Sequence, residues 1–338
     1  MKKQKITVLY NKVESLPFDD AKAILMEAGA KDDAKTIAKA LNSAGYHSDI
    51  MELSIKTVGQ LRRRRADLFF NLCDGIGSLP KSEHKVPELL DRLKLPYTGA
   101  DASSLLLTTN KALTKRIFEQ NNIPTPAYSL FEAPPVQLPG NLRFPLIVKP
   151  MAQDCSLGIS ANSVVKNLWE LRHEVGKIVS RYHEPALVEE YIRGRELNIT
   201  VIGNGQGITV LPISEIKFGS SYRNSDRPKI VDFSAKWVEE SRAYKDTVGM
   251  CPAKLDKKVL QKIERLAIQA YLVCGGRDYA RVDIRLSRDN LPYFLEVNLN
   301  NDLSVGMGAA RSAQASGLDY KGFISTIATI ATQRYHNA

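Results

Sequence analysis

The sequence predicts an α/β protein (α+β in its later parts), with an N-terminal doubly wound unit over residues 1–105 followed by units over 106–192 and 193–338. Three observations carry that expectation. Short apolar runs of strand length alternate with amphipathic stretches through the first unit, the order that a parallel sheet with flanking helices requires. Near residue 105 the character changes, and a long helical pattern leads into a connection marked by Pro134, Pro135 and Pro139. Towards the carboxyl end, Arg281–Asn298 alternates polar and apolar residues around a Ser-Arg-Asp-Asn cluster, the pattern of a hairpin.

In chain order, residues 5–11 read as a buried strand. A charged stretch precedes an amphipathic helix from about Asp32 to Ala44, with Ile37, Ala38 and Leu41 on one face and Gly45 as its stop. Residues 47–53 form the next strand, 57–65 a short helix, and 67–73 a near-continuous apolar strand suited to a parallel sheet. That strand runs into Asp74-Gly75-Ile76-Gly77, at the strand end where open α/β sheets hold ligands. Residues 86–93 are helical, and 95–99 close the unit. A single helix from about Ser104 to Asn121 opens the second unit. Strand 144–150, loop 151–160, helix 165–180 and strand 186–192 follow. Strands dominate from Glu196 to Ile213, residues 218–237 are polar and expected to lack regular structure, and helix 255–273 precedes the hairpin.

At 338 residues the chain is long enough for a sizeable core, and no apolar run approaches the ~18 residues that span a membrane. Its start, Met-Lys-Lys-Gln-Lys, precedes too short an apolar run for a signal peptide. Four cysteines without C-x-x-C spacing indicate neither a zinc site nor a disulfide framework, and a reduced, cytoplasmic protein is expected. The formal charge of +10 raises the question of nucleic acid. The densest basic run, Arg62–Arg65, lacks interleaved aromatics and reads as a solvated helix end. A basic surface also suits anionic nucleotides.

Along a strand, alternate residues share a face, so Arg281 goes with Asp283 and Glu296 with Asn298. Pairing Leu286 with Leu291 sets Arg281 roughly opposite Glu296, to within a residue. Two carboxylates and an amide oxygen suit Mg²⁺; the same residues also suit a solvated hairpin whose charges pair with one another. Upstream, in order, stand Lys111 on a helix, Lys149 ending a strand, a loop with Ser156 and Gly158, the acidic strand end Glu189-Glu190, and Glu196. No G-x-x-x-x-G-K-[ST] occurs, which argues against a P-loop enzyme.

That order resembles the ATP-grasp superfamily, most closely its D-alanine–D-alanine ligase-like branch, from about Leu95 onward. Thr109-Asn110-Lys111, Ile147-Val148-Lys149-Pro150 and Leu187–Ile192 with Gly194 and Glu196 carry the resemblance. So do Arg281-Val282-Asp283 and Phe294-Leu295-Glu296-Val297-Asn298, while 232–237 looks like the family's mobile active-site loop. The resemblance implies an ATP-grasp fold with ATP held between two sheets, and two Mg²⁺ ions, or Mn²⁺ in their place. It implies Lys111 and Lys149 on the α- and β-phosphates, with Ser156 and the adjacent Cys155 in the phosphate loop. Glu189, Glu190, Tyr191, Ile192 and Leu295 would line the adenine pocket, and Glu196 would accept the ribose hydroxyls. Asp283, Glu296 and Asn298 would ligate metal, Lys236 would close over the γ-phosphate, and Arg281 would face the acyl phosphate and the oxyanion. These residue types fit phosphoryl transfer, which is mostly positioning and charge neutralisation.

The departures fall on the amino-acid side. Where the ligases carry Gly-Gly-x-Ser-x-Glu, the first strand here runs into Asn11-Lys12-Val13-Glu14-Ser15, and their His-Gly loop is replaced by residues 71–75. A Pro-Gly-Met turn gives way to Leu299–Met307 without proline, with Met307 near the place of the serine that holds the second substrate's carboxylate. Cys155 stands for a serine and Trp237 for a tyrosine. Asp74, Ser304 and Met307 are therefore the candidate substrate residues: Asp74 for an ammonium group, Met307 for a bulkier or less charged acceptor, and Ser304 as the alternative donor. The expected function is ATP-dependent ligation of small amino acids, or a related acid and amine. The alternatives are D-alanine–D-alanine ligase proper, an ATP-binding regulator without turnover and, more remotely, a nucleic-acid binder. Small amino acids or peptides are the expected partners, with no nucleic acid and no membrane; a homodimer is compatible with this reading.

Overall fold

The computed structural model describes residues 3–12, 29–77, 79, 81–153, 156–223 and 225–336. Within them the apolar run Lys5–Tyr10 (β1) is the central strand of a parallel sheet. It lies between His47–Glu52 (β2) and Leu68–Asn71 (β3), and a parallel bridge from Phe69 to Tyr97 extends the edge. Helix α1 (Ala30–Ser43) buries Ala34, Ile37, Ala38 and Leu41 against one face, the stripe its periodicity predicts. Helix α2 (Lys85–Arg92) covers the other face through Val86 and Leu90. Residues 13–15, the altered loop after the first strand, lie outside the described residues.

The single helix expected over 104–121 is two, α3 (Ala102–Thr109) and α4 (Lys111–Gln120). Asn110 breaks them: it turns extended, and its side chain accepts the Leu113 N–H as the cap of α4. Thr109 helps to end α3 by returning its hydroxyl to the Leu105 carbonyl. Next comes an antiparallel sheet in the order β4-β7-β5-β6, from Tyr128–Phe131 (β4), Leu146–Pro150 (β5), Val164–Val165 (β6) and Ala186–Glu190 (β7). Between β6 and β7, helix α5 (Leu168–Tyr182) starts later than the expected Val165. Asn167 caps it, and Val164–Val165 pairs with β5 instead.

A second antiparallel sheet is built on Gly194–Ile202 (β8), with Thr209–Val210 (β9) paired to it off the main path. Ser214–Phe218 (β10) follows. The polar stretch expected to lack structure holds two short helices, α6 (Ser220–Arg223) and α7 (Phe233–Trp237), with α8 (Arg242–Lys245) just beyond. Asp232 and Ser241 make these short helices workable by capping α7 and α8. Thr247–Met250 (β11), helix α9 (Lys257–Val273), Tyr279–Ser287 (β12) and Pro292–Asn298 (β13) complete the order β11-β10-β8-β12-β13. Ile263, Leu266, Ala267, Ala270 and Tyr271 of α9 pack on this sheet.

Two further helices, α10 (Gly308–Ala315) and α11 (Tyr320–His336), lead back to the start of the chain. Phe323, Ile324, Ile327, Ala328 and Ala331 of α11 share one core with Ile6, Val8, Ile37, Leu41 and Phe70. Buried Asp278 ties the units together. It accepts from Arg334 Nη2 at 2.8 Å, the Gly99 N–H at 2.9 Å and Asn204 Nδ2 at 2.8 Å. No helix among the described residues is long and apolar enough to cross a membrane.

Candidate active site

The β12–β13 hairpin carries the carboxylates in a register that differs from the expected one. Its turn takes three residues, with Asn290 at φ 58 and the Leu291 carbonyl accepting from the Ser287 N–H, so Leu286 faces Pro292 rather than Leu291. A β-bulge then leaves Leu295 unpaired opposite the step from Asp283 to Ile284. Together these slip the register by two residues. Asp283 lies directly opposite Glu296, and Arg281 lies opposite Asn298, not Glu296.

Asp283 accepts from Arg281 through Nε at 2.9 Å and Nη2 at 2.8 Å, and from Asn198 Nδ2 at 2.6 Å. Burial alone would weaken the Arg281 charge, but Asp283, Glu296 and Asp302 more than restore it. The Asn298 side-chain oxygen accepts the Asn300 N–H at 3.0 Å.

Lysines approach the hairpin from helix α4 and from the other sheet. The break at Asn110 starts α4 at Lys111, whose Nζ donates to the Gln153 carbonyl at 2.8 Å and lies 3.8 Å from Glu296. One turn later Lys115, 0% exposed, reaches Glu189 at 2.6 Å and Thr125 at 2.9 Å. Lys149, near the end of β5, pairs with the other oxygen of Glu189. Burial pushes the Glu189 carboxyl up, and the two lysines overcome it, holding it down at about 2. Glu296 is likewise lowered: Lys111, Lys149 and Arg281 outweigh burial. The Thr125 hydroxyl donates to the Phe294 carbonyl at 2.8 Å, so this charge cluster sits where the two sheets meet.

Beyond β7 the chain turns at Tyr191 and Ile192 into β8. Arg285, on β12 two residues past Asp283, gathers this corner. Its guanidinium meets Glu196 at 2.9 Å and the carbonyls of Ile192 and Lys229 at 3.1 and 2.8 Å, and it lies 5.3 Å from the Tyr191 ring centroid. Burial raises the Glu196 carboxyl, against the pull of Arg285. A segment before α7 closes the same corner: the Tyr191 hydroxyl bonds Lys229, and the Ser156 hydroxyl donates to the Val231 carbonyl at 2.8 Å. In the loop after β5, a Cβ on Gly158 would come within 2.7 Å of Pro150, so only glycine lets the loop fold back this closely.

Residues 117–329 match the family described as D-ala D-ala ligase C-terminus. The chain belongs to that family. A protein of Sinorhizobium fredii named y4sG, itself uncharacterized, is 31% identical over 310 residues, covering 89% of this chain and 88% of that one. The D-alanine–D-alanine ligase of Bordetella petrii is 28% identical over 306 residues, 90% of this chain and 87% of its own. In structure, the D-alanine–D-alanine ligase of Bacillus anthracis complexed with ATP superposes with a TM-score of 0.74 at 20% identity, over 99% of this chain and 100% of that one. The overall architecture is therefore the ATP-grasp fold that the sequence predicts.

Against the family expectation, Lys111, Lys149, Glu189, Arg281, Asp283, Glu296 and Asn298 come together at the junction of the sheets. Glu189 is 1% exposed and taken by lysines, a setting different from the adenine contact expected of it. Half-buried Glu190, in contrast, sits at the end of β7 next to Tyr191 and Ile192. Lys236 stands apart. Its ammonium lies 5.1 Å from the Trp237 ring centroid and forms no ion pair among the described residues. Cys155 lies outside the described residues. Asp74 is exposed, on a loop held to the turn after β13 by Asn300, which donates to the Cys73 carbonyl at 3.0 Å. Ser304 lies near Asp33 of α1, its backbone N–H donating to Asp302 Oδ1 at 2.8 Å, and Met307 is 43% exposed at the start of α10.

Sequence reasoning missed Lys115 and Arg285. Both had a signal: Lys115 is one helical turn from Lys111, and Arg285 continues the alternation of Arg281 and Asp283.

Proposed function

We propose that the chain is an ATP-dependent carboxylate–amine ligase, acting on small amino acids or a related acid and amine. The observation that supports it most is the directly opposed pair Asp283–Glu296, flanked by Arg281 and Asn298 and faced by Lys111 of α4 and Lys149 of the other sheet. In the reaction, a substrate carboxylate oxygen bonds to the γ-phosphorus of ATP while the bond to the bridging oxygen breaks, releasing ADP. The amine lone pair then forms the C–N bond, the C–O bond to phosphate breaks with its electron pair, and the amine proton leaves to solvent.

Asp283, Glu296 and Asn298 offer only oxygen donors, two of them anionic, which fits a divalent cation such as Mg²⁺ or Mn²⁺ and not a thiophilic one. Bound with the nucleotide, such ions neutralise phosphate charge. Lys111 and Lys149 hold the phosphates, and Lys115, through Glu189, fixes the position of Lys149. Glu190, Tyr191, Ile192 and Leu295 form the adenine wall, and Glu196, steered by Arg285, takes the ribose hydroxyls. Ser156 and Lys236 belong to segments that close over the nucleotide.

Phosphate release from MgATP that depends on both an acid and an amine tests this reading. Hydroxylamine should also trap the activated acid as a hydroxamate. Nucleotide binding with neither result would leave a regulator. Arg281→Ala should lower kcat by roughly 10²–10³, the usual cost of one oxyanion donor. A change confined to KM for ATP would make Arg281 a ground-state ligand instead.

A further inference from the structure

Arg285 lies directly opposite Glu196 in the β12–β8 ladder and is 4% exposed. Each nitrogen of its guanidinium has an acceptor. Nη1 serves two, the Glu196 carboxylate at 2.9 Å and the Lys229 carbonyl at 2.8 Å. Nε donates to the Ile192 carbonyl at 3.1 Å, and Nη2 reaches the Gly194 carbonyl at 3.4 Å and the Tyr191 hydroxyl at 3.5 Å. A carboxylate and a guanidinium can pair through two parallel N–H···O bonds. Here Glu196 meets one nitrogen through Oε2, and most of the fork goes to neutral oxygens.

Lys229 belongs to the segment that leads into α7 and Lys236. Both of its backbone groups are held. Its N–H donates to the Tyr191 hydroxyl at 3.0 Å, and its carbonyl accepts from that hydroxyl at 3.2 Å as well as from Arg285. Farther along, the Phe233 N–H donates to the Ile159 carbonyl at 3.3 Å, and Arg227 meets Asp232, the cap of α7, at 2.8 Å. Of these holders, Arg285 is the one that also grips Glu196.

Granting the nucleotide site proposed above, we infer that Arg285 is a positioning residue that makes the seating of residues 225–237 depend on the ribose of the nucleotide. The inference rests on that site and not on the ligase chemistry. Glu196 and the Lys229 carbonyl share Nη1. Without a ribose, the second oxygen of Glu196 competes for the fork, and a two-bond pair draws the guanidinium off Lys229. Ribose hydroxyls that donate to Glu196 satisfy that oxygen and leave Nη1 on the Lys229 carbonyl. Ribose binding and seating of the segment are then linked, and each favours the other by the same factor. A lysine cannot take over this role, because a point charge has no planar fork to divide between the two acceptors.

Trypsin cuts after lysine, and the Lys229 side chain is exposed. The Lys229–Ile230 bond, whose carbonyl Arg285 holds, therefore reports release of the segment, since cleavage follows the population of the open form. Wild type is digested with Mg²⁺ and either ADP or 2′,3′-dideoxyADP, which lacks both hydroxyls. Each nucleotide is held at saturation, set by calorimetric titration, so that their difference in affinity cancels. Cleavage after Lys229 should be slower with ADP by roughly 5- to 150-fold, the usual size of a coupling between sites. Arg285→Lys and Arg285→Met should each bring the two rates to within about twofold. Glu196→Gln, which leaves Arg285 in place, should do the same from the ribose side. A purely structural Arg285 would let both variants be cut faster with either nucleotide and preserve the ratio, which overturns the assignment. Equal protection by the two nucleotides in wild type overturns it too, as does a failure of ADP to bind. The expected pattern in a protein without amine-dependent phosphate release supports the coupling and overturns the ligase reading alone.

Discussion

Glu296→Gln is expected to abolish turnover, by roughly 10³-fold or more, while nucleotide still binds, more weakly. Glu296 lies opposite Asp283 and 3.8 Å from Lys111. Lys111, Lys149 and Arg281 outweigh burial and keep its carboxyl below the ordinary range, so it carries its charge at any working pH. Glutamine keeps the shape and one acceptor oxygen but removes the charge. Phosphoryl transfer relies on fixed charge around the phosphates, and the loss falls where that charge is needed. Phosphate release and calorimetric titration with ADP and Mg²⁺ separate the two effects. Wild-type turnover in this variant would remove Glu296 from the site.

Glu189→Gln should act on stability instead, lowering it by about 3–5 kcal/mol, the range found when one member of a buried ion pair is removed. Lys115 and Lys149 would then lie in the interior with no anion between them. The linkage to pH has a definite sign. A carboxyl held at about 2 when folded, against ~4.3 when unfolded, gives stability that is complete above the higher value. That stability is lost as pH falls toward the lower one. The resistance of wild type to urea should therefore weaken as pH falls between those values, and Glu189→Gln should show a shallower loss over the same interval. Combining it with Lys115→Met should recover part of the stability, since the pair is then removed together.

Local pattern made much of the fold legible. The helix over Ala30–Ser43 follows from periodicity because it buries the face its own residues define, and the strand over Leu68–Asn71 follows from a continuous apolar run that is buried throughout. The hairpin was legible as a hairpin, but its register depended on Asn290 turning left-handed and Leu295 bulging out, and neither changes the hydrophobic pattern. Strand β4 is short and half-exposed, so it shows no alternation of its own and is fixed by pairing with β7. In the site, the carboxylates and two lysines were readable from their order. Lys115 and Arg285 carried only a spacing signal, since each looks like an ordinary surface cation until residues far away in the chain enclose it. Glu189 lies 74 positions beyond Lys115, and only the packing of α4 on β13, which aims Lys115 across to β7, shows them to be partners.

The return of α11 to the first sheet bears on how the protein is made. Ile6 and Val8 share their core with Phe323 and Ile327, and Gln4 bonds Thr332 across 328 residues of chain. As the polypeptide leaves the ribosome, the opening strands can associate with α1 but not close that face. An apolar surface stays open to solvent until the segment around residues 323–331 has been synthesised. Contacts this distant in sequence slow assembly and expose such surfaces to wrong partners. The first unit is thus translated well before the segment that seals it, and that face of its sheet is among the last surfaces of this chain to be covered.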